Sequence, residues 1–203
     1  MESVLERICV FSGSSGGAKP EYVQGARELG EALARRGLAI VYGGGRTGLM
    51  GHLAEAGLAA GGQVIGVIPR EMVTAEVAFT DLADLRVVGT MHERKALMAE
   101  LADGFVALPG GLGTLEEFFE AWTWAQLGLH HKPCGLLNIC GYYDRLISFM
   151  DHAVDQGFVH ELHRQMVLVA DSAELLFDQF ETYRSPRTSK AEWALRLARA
   201  ASE

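Results

Sequence analysis

The sequence is short of cysteine, of long apolar runs and of positive charge. Its three cysteines, Cys9, Cys134 and Cys140, all lie in apolar, strand-like runs. An odd number of such cysteines predicts buried thiols rather than a disulfide framework or a metal site, which is typical of a reducing compartment. We therefore expect a cytoplasmic protein.

The same shortages exclude two classes of partner. No apolar stretch approaches the roughly 18 to 20 residues of a membrane span, and we do not expect Met1–Arg7 to be a signal peptide. The net charge of −8 and the pI near 5.4 argue against nucleic-acid binding, which needs a basic surface. We expect no membrane and no nucleic acid as partner. A small anionic ligand is compatible, because local N–H groups and one or two cations can bind it.

Short apolar runs alternate with helical patterns along the chain. Their alternation predicts an α/β fold, a doubly wound (Rossmann-like), mostly parallel sheet with helices on both faces. We expect this single domain over residues 1–184, then a hinge and an amphipathic helix over 185–203 with Trp193, Leu197 and Ala200. Residues 70–83 are weakly patterned and form either a loop or a short helix. The predicted strands are Arg7–Phe11, Leu38–Tyr42, Gln63–Ile68, Leu85–Val88, Phe105–Leu108, Cys134–Ile139 and Val167–Val169.

The most informative segment is the glycine turn Pro109–Gly113, between a predicted strand and a helix. Such a turn gathers unpaired backbone N–H groups at a helix N-terminus, where the helix dipole favours a phosphate. Its glycines let the backbone approach an anion closely. Glu117, one turn into the helix, should repel an anion. Its presence indicates a ligand with phosphate at one end and a group that develops positive charge at the other.

Thr114 and Glu117 also fit a capping box, with Thr114 as the N-cap and Glu117 bonding back to its N–H. That alternative explains both residues without any chemistry. The three glycines and Pro109 beside the cap are more than a helix start needs, which favours a binding site. Glu116 points about 100° away from Glu117 around the helix and is expected to be solvated.

Two other glycine loops follow the first and second predicted strands. Gly43, Gly45 and Gly48 match G-x-G-x-x-G, but the loop follows the second strand and no acidic residue ends the next one. A phosphate- or sugar-facing loop, a tight turn and a nicotinamide-cofactor site all stay open. Ser12 and Ser14 lack an indicated histidine base, so nucleophilic serine chemistry is not expected. All three loops lie at the carboxyl edge of the predicted sheet, where such folds bind ligands.

Arg94 and Lys95 lie near the start of a predicted helix, Met91–Leu101, where the helix dipole disfavours cations. The segment is not a zinc helix, because Ala96 stands where H-E-x-x-H needs its second histidine. A solvated basic turn explains the pair. A phosphate or ribose site at the sheet edge explains it as well.

The helix after the glycine turn is expected to reach about Leu129. Thr123 and Trp124 lie off its apolar face and border either a ligand or a partner subunit, while His130 and His131 are expected at the surface. The apolar face consists of Leu115, Phe118, Phe119, Trp122 and Leu129.

The turn with its following Thr114 and Glu117, preceded by Arg94-Lys95, resembles the LOG (Lonely Guy) family of cytokinin riboside 5'-monophosphate phosphoribohydrolases. The resemblance covers Ile8 to about Phe180 and includes Gly43–Gly45, Gly48–Gly51, Met91–Lys95, Thr123–Gly128 and Lys132-Pro133. It implies a homodimer with the site near the interface, and no metal or cofactor. The implied reaction splits a nucleoside 5'-monophosphate, such as plain or N6-modified AMP, into free base and ribose 5-phosphate.

Carried over by position, Arg94 and Glu117 are implied as the catalytic pair. Breaking an N-glycosidic bond builds positive charge on the ribose, which a nearby carboxylate stabilises. Further residues, many of them in the glycine loops, are expected to contact the substrate and its phosphate. They are Ser12, Gly13, Gly44, Gly45, Glu71, Lys95, Gly110, Gly111, Gly113, Thr114, Glu116 and Thr123.

Three other functions compete with this one. The main alternative is a non-catalytic module that binds a nucleotide or, like molybdenum-cofactor carriers, a phosphorylated pterin. An NAD-binding oxidoreductase is the second. Older labels called such proteins lysine decarboxylases, but no lysine here has a recognisable setting for pyridoxal phosphate.

Overall fold

Seven parallel strands form one sheet in the computed structural model, which describes residues 5–74 and 78–186. The strand order is β4-β3-β2-β1-β5-β6-β7. The order reverses between β1 and β5, the topological switch point at which such sheets bind ligands. The strands are β1 (Arg7–Phe11), β2 (Ala39–Tyr42), β3 (Val64–Pro69), β4 (Asp84–Val88), β5 (Gly104–Ala107), β6 (Cys134–Leu137) and β7 (Val167–Ala170).

Helices cover both faces of this sheet. They are α1 (Pro20–Arg35), α2 (Gly48–Ala59), α3 (Arg70–Thr74), α4 (Met91–Leu101), α5 (Leu112–Gln126), α6 (Asp144–Asp155), α7 (Glu161–Arg164) and α8 (Ala173–Thr182), with a 3₁₀ helix at Ile139–Gly141. In β1, Ile8 and Val10 pack under α1, α2 and α8. Cys9 and Phe11 pack under α4, α5 and α6 on the other face. This alternation is the period of two of a strand buried on both sides.

The doubly wound α/β fold is thus confirmed, and four local expectations are wrong. Helix α5 ends at Gln126, because Gly128 turns the chain with a φ of 76°. Leu129 is therefore 70% exposed instead of completing the core face.

Cys140 lies in the 3₁₀ helix with a φ of 52° and is exposed, whereas Cys9 and Cys134 are buried as expected. His130 is half-buried, with Nε2 2.9 Å from the Ala121 carbonyl oxygen.

The predicted C-terminal helix with Trp193, Leu197 and Ala200 lies outside the described residues. Within residues 5–74 and 78–186, no helix combines the length and the apolar character needed to cross a membrane.

Candidate active site

The loops after β1, β2 and β5 meet around a cleft of about 280 Å³ at the switch point. Backbone hydrogen bonds hold these loops together: the Gly13 N–H donates to the Pro109 carbonyl at 3.1 Å, and the Leu49 N–H donates to the Gly13 carbonyl at 3.0 Å. The cleft is lined by Val10, Phe11, Ser12, Gly13, Ser14, Gly43, Met50, Met72, Arg94, Gly111, Leu112, Gly113, Thr114 and Glu117.

Helix α5 presents its N-terminus to the cleft. Gly111 is the N-cap, with no side chain capping it, and the first bond of the helix runs from the Leu115 N–H to the Gly111 carbonyl at 3.1 Å. The amides of Leu112, Gly113 and Thr114 precede that bond and so have no acceptor within the helix. Such amides, with the helix dipole, suit an anion.

Two glycines keep the space above these amides open. A Cβ built on Gly111 or on Gly113 would meet no atom within 4 Å. Neither glycine has a positive φ, so the fold itself does not demand them. In contrast, a Cβ on Gly110 would lie 2.1 Å from Thr114 Oγ1. Gly110 therefore packs beneath the turn, while Gly111 and Gly113 leave room over it.

The capping-box alternative is wrong for this helix. Because α5 begins at Leu112, Thr114 is its third residue and not the N-cap, and its side chain is buried. Glu117 bonds to no amide of the helix start. Its Oε1 accepts a hydrogen bond from Arg94 Nη1 at 2.8 Å.

The Arg94–Glu117 ion pair lies largely out of solvent, with both side chains 11% exposed. Arg94 Nε donates to the Val67 carbonyl at 3.1 Å, which fixes the guanidinium over the end of β3. Gly43 makes room for it, because a Cβ there would lie 2.0 Å from Arg94 Nη2. The pair therefore joins α4 to α5 at a defined place on the cleft wall.

Burial governs the electrostatics of this pair. It raises the pKa of Glu117, and the neighbouring Arg94 guanidinium offsets only part of that effect. Beneath the pair, burial and the charge of Glu117 raise the pKa of Cys9 well above its ordinary value, so this thiol stays neutral. The carboxyl is thus a base that protonates at higher pH than an exposed glutamate.

Seven expected site residues line the cleft: Ser12, Gly13, Arg94, Gly111, Gly113, Thr114 and Glu117. Gly44 and Gly45 do not. Gly44 has a φ of 71° and accepts a hydrogen bond from the Phe79 N–H at 2.8 Å, and Gly45 forms an isolated bridge with Ala78. The tight-turn alternative therefore describes these two glycines.

Lys95 also lies away from the cleft lining. Its side chain is 10% exposed, and Nζ donates to Glu116 Oε1 at 2.5 Å and to Glu120 Oε1 at 3.1 Å. The hydrogen bond to Glu116 raises the pKa of Lys95. Glu116 is exposed, as expected, with 56% of its side chain accessible, and it also pairs with Lys95 across α4 and α5.

The other expected contacts lie beside the cleft. Glu71 is exposed on α3, next to Met72, which lines the cleft. Thr123 and Trp124 are half-buried, and Trp124 borders, with Lys95 and Glu117, a small cavity of about 10 Å³.

Besides Val10 and Phe11 of β1, three apolar side chains line the cleft that sequence reasoning did not name as contacts: Met50, Met72 and Leu112. Leu112 is 87% exposed at the first position of α5. An apolar side chain in a loop or at a helix start carries no periodic pattern, so the sequence offered no signal for these three residues.

The chain is similar to two groups of known proteins, one in sequence and one in fold. A family model described as possible lysine decarboxylase matches residues 50–180. A cytokinin riboside 5'-monophosphate phosphoribohydrolase of Arabidopsis thaliana is 47% identical over 195 residues, covering 95% of this chain and 90% of that protein. The one named LOG in Oryza sativa subsp. japonica is 50% identical over 181 residues, covering 89% of this chain and 75% of that protein.

Solved structures share the same fold. The molybdenum cofactor binding protein of the phototrophic bacterium Rippkaea orientalis has a TM-score of 0.67 and 25% identity, covering 89% of this chain and 98% of that one. The molybdenum cofactor carrier protein of Chlamydomonas reinhardtii has a TM-score of 0.64 and 22% identity, covering 86% of this chain and 96% of that one. The second likeness concerns the fold alone.

Proposed function

Since the chain belongs to the family of cytokinin riboside 5'-monophosphate phosphoribohydrolases, we propose that it hydrolyses the N-glycosidic bond of a nucleoside 5'-monophosphate. The products are the free base, adenine or an N6-modified adenine, and ribose 5-phosphate. One observation supports this assignment above all: the buried Arg94–Glu117 pair opens on the same cleft as the free amides of α5.

The amides of Leu112, Gly113 and Thr114 bind the 5'-phosphate. They are fixed by the helix, and no side chain covers them at Gly111 or Gly113. The dipole of α5 adds a favourable field for the phosphate charge. Binding the phosphate in this way sets the position of the ribose and lowers the entropic cost of reaction.

Glu117 acts on the ribose as the bond to the base breaks. Positive charge grows on the sugar in that transition state, and a carboxylate with little access to water stabilises it more strongly than it would in bulk solvent. The same carboxylate orients or deprotonates the attacking water. Arg94 holds Glu117 through the 2.8 Å hydrogen bond and orients the substrate.

The test is to incubate the protein with AMP and with N6-isopentenyladenosine monophosphate and to quantify free base by chromatography. Glu117→Gln should lower the rate by about 100- to 10,000-fold while AMP binding stays measurable. Wild-type protein that binds AMP and releases no base would instead favour the non-catalytic binding module. A fully active Glu117→Gln variant would overturn the role of Glu117.

The description "possible lysine decarboxylase" receives no support from the cleft. None of the described residues that line it is a lysine, and a lysine is needed to attach pyridoxal phosphate. Lys95 pairs with two carboxylates, and Lys132 Nζ donates to the Ala99 carbonyl at 2.8 Å.

We also propose a homodimer with the site near its interface. Most of the exposed large apolar side chains among the described residues belong to one layer, α4, α5, α6 and the residues just after them, which favours contact there. They are Met91, Leu112, Leu127, Leu129, Phe149 and Phe158. A cytoplasmic location is a further proposal, supported by the free thiols of Cys9, Cys134 and Cys140.

A further inference from the structure

Three consecutive carbonyls beneath the glycine turn are each held by a separate hydrogen bond. The Tyr143 hydroxyl donates to the Leu108 carbonyl at 2.6 Å, and the Tyr142 hydroxyl donates to the Gly110 carbonyl at 2.5 Å. Between them, the Pro109 carbonyl accepts from the Gly13 N–H at 3.1 Å. The turn is thus fixed from below by the loop after β1 and by the chain after β6.

Holding the Pro109 and Gly110 carbonyls also fixes the direction of the N–H groups that follow them, those of Gly110 and Gly111. The Leu108 carbonyl is followed by Pro109, which has no N–H, so the Tyr143 bond fixes the course of the chain into the turn. In a trans peptide, the carbonyl of one residue and the N–H of the next point to opposite sides, and the described residues contain no cis peptide bond. Because Tyr142 holds the Gly110 carbonyl, the N–H of Gly111 must point away from Tyr142. Gly111 itself lines the cleft.

The two tyrosines are themselves held in place. Their rings pack edge to face with centroids 4.9 Å apart, and Tyr142 packs in the same way on Tyr22 at 5.6 Å. The Tyr143 N–H donates to Asn138 Oδ1 at 2.7 Å. Burial raises the pKa of Tyr143, so its hydroxyl stays a proton donor at physiological pH.

We propose that Tyr142 and Tyr143 are positioning residues for phosphate recognition: their hydroxyls hold the glycine turn from which α5 starts, and so keep the N-terminal amides of α5 in place for the 5'-phosphate. This inference rests on the proposed function only in taking the ligand to be a phosphate monoester. Neither tyrosine lines the cleft, so each acts through the backbone and not on the ligand. Any ligand with the same phosphate is affected alike, whatever its base.

The test compares Tyr142→Phe and Tyr143→Phe with a matched control, Tyr42→Phe. The Tyr42 hydroxyl is buried in β2 and has no hydrogen-bond partner among the described residues, so the control removes a tyrosine hydroxyl without touching the turn. Calorimetry would measure the dissociation constants of AMP, ribose 5-phosphate and adenosine. We expect each turn variant to bind AMP and ribose 5-phosphate about tenfold more weakly, which corresponds to about 1.4 kcal/mol. Adenosine affinity should not change, and Tyr42→Phe should match the wild type.

An equal loss for adenosine and AMP, or no loss for either, would overturn the inference. Tyr142 is 41% exposed, so its variant provides the result if Tyr143→Phe does not fold. The hydrolase activity and the role of the two tyrosines can be refuted independently of each other. Wild-type protein that binds AMP but releases no base would refute the hydrolase, while a selective loss of phosphate-ester affinity in the variants would still support the tyrosines. Wild-type protein that binds no phosphate ester would overturn both.

Discussion

At the scale of the residue, burial disfavours the charged form of Glu117, the carboxylate that we assign to the reaction. Burial raises its pKa, and the reaction needs the carboxylate, so activity should be lost on acidification at higher pH than for an ordinary glutamate, whose pKa is about 4.3. We predict that kcat/KM for AMP declines as the pH is lowered, and that the apparent pKa of this decline is higher than the ordinary glutamate value. A rate profile over roughly pH 4 to 9 would show it.

Glu116 supplies the control for this profile. Its negative charge contributes to the raised pKa of Glu117, so Glu116→Gln should move the acidic limb to lower pH. A wild-type limb at or below the ordinary glutamate value would contradict burial as the governing effect.

A substitution at Gly113 should affect AMP binding and thermal stability in opposite directions. Its Cβ would meet no atom within 4 Å, and alanine in place of glycine inside a helix stabilises by about 0.5 to 1 kcal/mol. The same methyl would stand over the amides that we assign to the phosphate. Gly113→Ala should therefore keep or raise the melting temperature while weakening AMP binding, as calorimetry and thermal unfolding would show.

Gly110 is the opposite case, since its Cβ would lie 2.1 Å from Thr114 Oγ1. Gly110→Ala should lower the melting temperature. If Gly113→Ala bound AMP as tightly as the wild type, the phosphate would have to lie elsewhere.

At the scale of elements, α4 and α5 are joined by three neighbouring ion pairs. Arg94–Glu117 lies on the cleft, and Lys95 with Glu116 and Glu120 lies beside it. Since Lys95 is occupied by these carboxylates, Lys95→Met should lower stability by about 1 kcal/mol and reduce kcat through misplacement of Glu117. The KM for AMP should change little.

Steady-state kinetics on Lys95→Met and Lys95→Arg would check that Lys95 affects kcat and not KM. Arginine keeps the charge and should restore most of kcat. A large rise in KM with an unchanged kcat would instead make Lys95 a phosphate contact, as the family resemblance implies.

The elements also show how far the sequence predicts the structure. Helix α4 was predicted with its observed bounds, and the strands to within a residue or two, since apolar runs between glycines mark them clearly. The position of Cys140 was not predictable, because its φ of 52° breaks an apolar run that looked like a longer strand. In the same way, the rotation of α4 against α5 decides that Arg94 reaches Glu117 while Lys95 reaches Glu116. The sequence pattern contains no measure of that rotation.

At the scale of the molecule, the strand order determines where the site lies. Only the placement of β5 beside β1 brings the loop of Ser12 and Gly13 against the turn of Gly111 and Gly113. These residues are far apart in sequence. The alternation of strands and helices predicts that their loops share the carboxyl edge of the sheet, but it does not predict that β5 lies beside β1. The amides come from the N-terminus of α5 and the charged pair from α4 and α5, so the cleft depends on the packing of the whole sheet.

The proposed dimer gives a prediction at this scale. Leu129 is 70% exposed after α5, in the layer that carries most of the exposed apolar side chains. A buried carboxylate without a partner is costly, so Leu129→Glu should convert the dimer to monomer. Light scattering coupled to size-exclusion chromatography would measure the mass of the variant and of the wild type.

Leu58→Glu is the matched control, because Leu58 is 40% exposed on α2, and α2 covers the opposite face of the sheet. It should leave the mass unchanged. Since the site is proposed to lie near the interface, Leu129→Glu should also lower kcat/KM, whereas Leu58→Glu should not. A wild-type monomer with full activity would refute the dimer, and a monomeric, fully active Leu129→Glu variant would separate the site from the interface.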